Sequence, residues 1–237
     1  MFIHGISTPS LALGGVANGL VERGCRVMIF DLWGRGYSDS VDLPHDSRLY
    51  STQILLAVTS SPLAWTPEGF SLIGYSLGGG IAVDFAAAHP AIVQSLVLFA
   101  PGGLVRSKHF AWSSRLTYSW MPDNVLQWIV RRRLQNVSVR KEEPKAQQGQ
   151  DVVNEAINGE RVTDFEMAQL SKTRPGVTVA SAVSWQVEQH QGFVRSFISS
   201  IQNSSIEGKD ETWATWRKLA WREDKVLIFV GSTDGIV

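Results

Sequence analysis

The chain has 237 residues, 44% of them hydrophobic, and its 22 Lys plus Arg balance 22 Asp plus Glu. This is long and apolar enough for one domain with a sizeable core and an inserted subdomain, and zero net charge points to neither nucleic acid nor an anionic membrane as a partner. The single Cys25 excludes an internal disulfide and any Cys-based zinc site, no apolar run reaches the length of a membrane span, and the absence of Lys or Arg before Arg23 argues against a secretory signal, so a cytoplasmic protein is expected.

Strands and helices alternate through the first hundred residues. Phe2-Ile3 reads as a strand stub, Pro9 to Glu22 as a helix stopped by Gly24, and Arg26 to Phe30 as a strand, beside which Cys25 reads as a buried small hydrophobe. A loop rich in Gly and Asp, Asp31 to Pro44, precedes a helix over Asp46 to Val58. Phe70 to Gly74 is a strand, Gly79 to Ala88 an alanine-rich helix that must stop at His89-Pro90, and Ser95 to Phe99 a strand. The strands are continuous apolar runs ("VMIF", "SLIG", "LVLF"), which indicates an α/β fold, a parallel sheet covered by helices on both faces. From Leu104 to Ala220 no strand series continues. Trp112, Trp120 and Trp128 recur at eight-residue spacing and read as the core of a helical insert, with Arg131 to Arg133 as a solvated helix face. "KVLIFVG", Lys225 to Gly231, then restores the buried-strand pattern. The expected organisation is a core of residues 1–103 and 221–237 interrupted by a helical insertion at 104–220.

The pentapeptide Gly74-Tyr75-Ser76-Leu77-Gly78 satisfies G-x-S-x-G and stands between a strand and a helix, the context of a turn that lifts a serine out of a sheet. The alternatives are a plain glycine-rich turn or a phosphate loop, although the latter lacks both Lys-Ser/Thr after the glycines and a G-x-G-x-x-G register. A serine hydroxyl needs an adjacent base to act as a nucleophile, usually a histidine held by a carboxylate.

Together with this elbow, "FIHG" at the end of the first strand, "DLWGRGYSD" from Asp31 to Asp39, "LVLFAP" and "VLIFVGSTDGIV" occur in an order that resembles the α/β-hydrolase superfamily. The resemblance implies an α/β-hydrolase fold with a helical cap. It implies Ser76 as nucleophile, the backbone amides of Ile6 and Leu77 as oxyanion-hole donors, and Asp234 as the acid of the triad. Such a donor contributes about 3 kcal/mol to stabilising the tetrahedral intermediate. Asp234 in "STDG" also reads as an Asp-Gly turn. His4 is read as a structural histidine that ties its loop, while Asp31 and Arg35 order theirs.

The base is the missing part. The superfamily's chain order is Ser, acid, His, whereas His4, His45, His89, His109 and His190 all precede Asp234, and three residues follow it. His89 is 13 residues from Ser76, about 20 Å along a helix. His45 and His190 could approach the serine but do not occupy the superfamily's position. The expectation is therefore a hydrolase truncated at both ends, or a shortened one, with very poor turnover. The implied reaction is hydrolysis of an ester, amide, thioester or C–C bond in a small apolar substrate, with no cofactor or metal. The alternative is a catalytically silent, hydrolase-like protein that binds a small ligand between core and cap.

Overall fold

The computed structural model describes residues 1–106, 121–137 and 167–231. Its main sheet has four parallel strands, β1 (Phe2–Ile3), β2 (Phe70–Tyr75), β3 (Val93–Phe99) and β6 (Lys225–Phe229), in the order β1-β2-β3-β6. Register runs through the sheet, with Ile3 opposite Gly74, Gly74 opposite Leu98 and Leu98 opposite Ile228. Apolar side chains suit strands packed from above and below, and Leu72, Leu96 and Leu98 are fully buried.

Before β2, α1 (Gly14–Val21) buries only Ala17, whereas α2 (Ser47–Ser60) is capped by the Asp46 carboxylate, which accepts from the amides of Arg48 and Leu49. Helix α3 (Leu77–Ala88) follows β2 directly and packs on β1, β2 and β3; Ile81, Val83 and Phe85 join the sheet's core cluster.

After β3, a two-residue strand β4 (Val105–Arg106) pairs in parallel with β5 (Glu207–Gly208). Between them, α4 (Asp123–Val137), α5 (Val179–Gln189) and α6 (Phe193–Asn203) pack together on a second apolar cluster that includes Leu126, Val130, Val187, Phe193 and Phe197. Helix α7 (Asp210–Leu219) instead lies on α3, and its Leu219 enters the sheet's cluster. Among the described residues no helix is long and apolar enough to cross a membrane.

Three sequence expectations change. Residues 26–30 do not form a full strand: only Ile29 bridges Phe2, next to a hydrogen bond from Phe2 N to Met28 O, because β1 itself is only two residues long. Cys25 is exposed rather than buried, since it closes the turn after α1 with its amide on Leu20 O. Trp128 is 59% exposed, with Arg132 over its ring, because α4 turns Leu126, Val130 and Leu134 inward instead. Trp112 and Trp120 lie outside the described residues.

Among the described residues β6 is an apolar edge of the sheet: Leu227, Ile228 and Phe229, with Val230 just beyond, are each about half exposed, 47–52%. Unpaired edges of this kind template strand addition between molecules. Ile228→Lys is expected to lower concentration-dependent self-association, measured by sedimentation velocity, without moving the thermal midpoint by more than about 1 °C per few tenths of a kcal/mol lost. Unchanged association would show that the edge is not the contact.

Candidate active site

Ser76 sits where β2 becomes α3, with φ 53° and ψ −120°. This is one of two positive-φ positions outside glycine among the described residues, and such a backbone costs on the order of 1–3 kcal/mol and persists only where the surroundings enforce it. Here they do. The Ser76 amide donates to Phe99 O at 3.0 Å, and the Ser76 carbonyl accepts from Gly79 N and Gly102 N, both at 2.8 Å. The two glycines of the pentapeptide allow the crossing. A Cβ on Gly74 would stand 2.4 Å from Gly78 O, and one on Gly78 would stand 2.2 Å from Ile3 O.

The loop after β1 runs beside this elbow. The Cβ position of Gly5 is 3.2 Å from the Tyr75 ring, and Ile6 packs against both apolar clusters, the sheet's and the insert's. His4 is fully buried. Its Nε2 accepts from Leu32 N at 2.8 Å, so the proton is on Nδ1, which donates to Gly5 O at 2.8 Å. That ring is a strut, as its position in the sequence suggests. Leu77, the first residue of α3, is buried; its amide and that of Ile6 donate to no other group among the described residues.

The other described histidines make no hydrogen bond to Ser76. His190 donates from Nε2 to Ser38 O at 2.8 Å, and His89 lies against Phe85 at the far end of α3. His45 is only 2% exposed, its ring against Tyr50 and its two nitrogens without hydrogen-bond partners. None of these, nor His4, hydrogen-bonds Ser76. His109 and Asp234 lie outside the described residues, so the pairing of Asp234 with the elbow stays an expectation.

Two groups escaped the sequence reading. Arg35, whose sequence position predicts a loop-ordering role, is fully buried, and Gln186 of α5 is fully buried as well. Nothing in the local pattern marks a glutamine on an amphipathic helix as a tether. Two clefts also lie apart from Ser76. One of about 280 Å³ is lined by Trp128, Arg131, His190 and Arg195. The other, about 530 Å³, is lined in part by Asp84, a carboxyl that burial pushes above the usual range while Ser47 and Ser205 donate to it.

Burial holds both His4 and His45 down to about 4, with the nearby Arg35 charge adding to the effect on His45. Both are therefore neutral in the folded chain and take up protons on unfolding below their ordinary value of 6.5. Their contribution is complete above pH 6.5, declines as pH falls, and is lost by pH 4, at most about 3 kcal/mol per residue. Urea midpoints are expected to drop between pH 7 and 4.5, and His45→Leu should flatten that drop. An unchanged slope in this variant would mean that His45 does not titrate with unfolding.

The model of a family described as serine aminopeptidase, S33, matches residues 1–171. An uncharacterized protein of Mycobacterium tuberculosis is 33% identical over 108 residues, 45% of this chain and 30% of its own length. The chain thus matches less than a third of that relative. Among solved structures, an esterase from Exiguobacterium antarcticum superposes with a TM-score of 0.58 at 17% identity, covering 99% of this chain and 74% of that one. A meta-cleavage product hydrolase from Pseudomonas fluorescens gives 0.54 at 18%, covering 100% and 73%. These likenesses are of fold.

Proposed function

The chain belongs to the serine aminopeptidase S33 family within the α/β-hydrolase superfamily, and on that premise we propose that it is a serine hydrolase in which Ser76 is the nucleophile. The observation that carries this reading is the strained backbone of Ser76 at a strand-to-helix turn, held by hydrogen bonds at both its amide and its carbonyl and by two close glycine contacts. In the proposed reaction the Ser76 oxygen attacks the carbonyl carbon of a small, mostly apolar ester, amide, thioester or activated C–C substrate, its proton passing to a base, here added imidazole or solvent, which returns it to the leaving group. The amides of Leu77 and Ile6 receive the developing oxyanion, an acyl-enzyme forms as the leaving group departs, and water releases the acid. Asp234 is proposed as the acid, and the helices within 104–220 as a cap over the site.

A second reading, a hydrolase-like protein that binds a small ligand without turning it over, is favoured by one observation: none of His4, His45, His89 and His190 hydrogen-bonds Ser76. Chemical rescue separates the two. If a poised Ser76 lacks only its proton acceptor, added imidazole should accelerate hydrolysis of a short p-nitrophenyl ester by the wild-type chain beyond imidazole's own reaction with the ester, and by Ser76→Ala no further than that. Equal acceleration of both, or none of either, would leave Ser76 without a catalytic role.

A further inference from the structure

The loop that carries Ile6 is braced by two long side chains that no catalytic scheme above uses. Arg35 is 0% exposed. Its Nε donates to Ile6 O at 2.8 Å, one terminal nitrogen to Trp33 O at 3.3 Å, and the other to Ser200 Oγ at 2.9 Å and Ser196 O at 3.4 Å. Ser200 is held in turn by Tyr50, whose hydroxyl lies 2.8 Å from Ser200 Oγ, and the guanidinium lies over the Phe193 ring. Gln186 repeats the arrangement one residue on: its Nε2 donates to Ser7 O at 2.9 Å while its Oε1 accepts from Gly36 N at 2.7 Å. Arg35 therefore joins the Ile6 loop to α6, and Gln186 joins it to α5.

With His4 on Gly5 O, three successive carbonyls, those of Gly5, Ile6 and Ser7, are each gripped by a different side chain. A trans peptide sets its N–H opposite its C=O, so holding Gly5 O fixes the direction of the Ile6 N–H, and holding the next two carbonyls stops the plane from rotating back. Among the described residues the partners of Arg35 are carbonyls and a hydroxyl, none of them a carboxylate. A buried guanidinium ordinarily has an anion beside it, because desolvating an unpaired charge is costly. Arg35 instead directs its donors to the backbone of this loop and to α6, so its guanidinium acts as a fixed brace between them.

We propose that Arg35 and Gln186 are positioning residues that couple the insert helices α5 and α6 to the Ile6 loop, so that the seating of those helices sets the oxyanion donor. This rests on the assignment of Ser76 and Ile6 given above. Coupling of this kind acts on a tetrahedral, anionic adduct at Ser76 and not on a planar ligand bound nearby, whereas a merely structural role weakens both together.

The experiment compares the affinities of benzeneboronic acid, which forms a tetrahedral adduct with a serine hydroxyl, and benzamide, its planar counterpart, for the full chain. The variants are Arg35→Met, Gln186→Met and Ser76→Ala, each with its thermal midpoint. Arg35→Met and Gln186→Met are expected to lose boronate affinity about tenfold or more, by analogy with loss of one oxyanion donor, with benzamide affinity within about twofold. Should Arg35→Met fail to fold, Gln186→Met alone decides. Boronate binding that is lost in Ser76→Ala but keeps its ratio to benzamide in the folded Arg35 or Gln186 variant overturns the coupling while sparing the nucleophile. Boronate binding that survives Ser76→Ala, or is absent from the wild-type chain, overturns the nucleophile assignment and the coupling with it.

Discussion

Without added base, hydrolysis of p-nitrophenyl acetate by the 237-residue chain is expected to exceed that of its Ser76→Ala variant by no more than about tenfold. In a complete serine triad, removing the nucleophile or the base costs on the order of 10⁶ in turnover, and removing either costs nearly as much as removing both. The small gap follows from the histidines. His4 has its Nε2 lone pair occupied by Leu32 N and its Nδ1 proton on Gly5 O, so it can accept nothing from Ser76 without releasing the loop. His190 is turned toward Ser38 O, and His89 is at the opposite end of α3. His45 retains two free ring nitrogens but is enclosed by Tyr50 and α6, its backbone amide on Ser199 Oγ. On the proposed assignment the elbow supplies the Ser76 hydroxyl and two backbone donors, a set that can stabilise charge without generating the alkoxide. A gap of 10³ or more between the two proteins would show that a base is within reach, and His45→Ala and His109→Ala would then identify it.

Gly78→Ala is expected to destabilise the fold by about 4 kcal/mol or more, a large share of the 5–15 kcal/mol that separates most domains from unfolding. The added methyl would lie 2.2 Å from Ile3 O and 2.6 Å from His4 O. Both are backbone atoms of β1 and its continuation, so no side-chain rotation relieves the clash, and α3 must back away from the sheet it covers. The displacement would reach the His4 loop directly. Folded protein recovered in denaturant-free buffer should therefore lose both urea resistance and any Ser76-dependent chemistry. Gly15→Ala is the control: in α1 its Cβ meets nothing within 4 Å, and a gain of roughly 0.4–1 kcal/mol is expected from the reduced entropy of the unfolded chain. Equal urea midpoints for Gly78→Ala and wild type would mean that β1 and α3 are not in close contact.

Much of the frame could be read residue by residue, because its signals are local. The apolar runs of β2, β3 and β6 fell within a residue or two of where they form, Asp46 caps α2 through its own neighbours' amides, and the elbow's strand–turn–helix context surrounds a backbone that the structure holds at positive φ. Each of these depends on chemistry within a few positions along the chain, which is what a sequence displays. The edges of that reading were set by partners elsewhere. Residues 26–30 needed a longer β1 to pair with, and Cys25 and Trp128 took the solvent side of their elements because other residues faced inward. The bracing of the Ile6 loop was beyond local reading altogether. Arg35 meets Ser200 across 165 positions and Gln186 meets Ser7 across 179, and an arginine in a glycine-rich loop or a glutamine on a helix has the same local appearance whether it is solvated or buried. Composition and spacing determined which elements form and which serine stands at the turn; only the packing of the insert against the first forty residues decided which polar side chains lose their water and grip the backbone beside it.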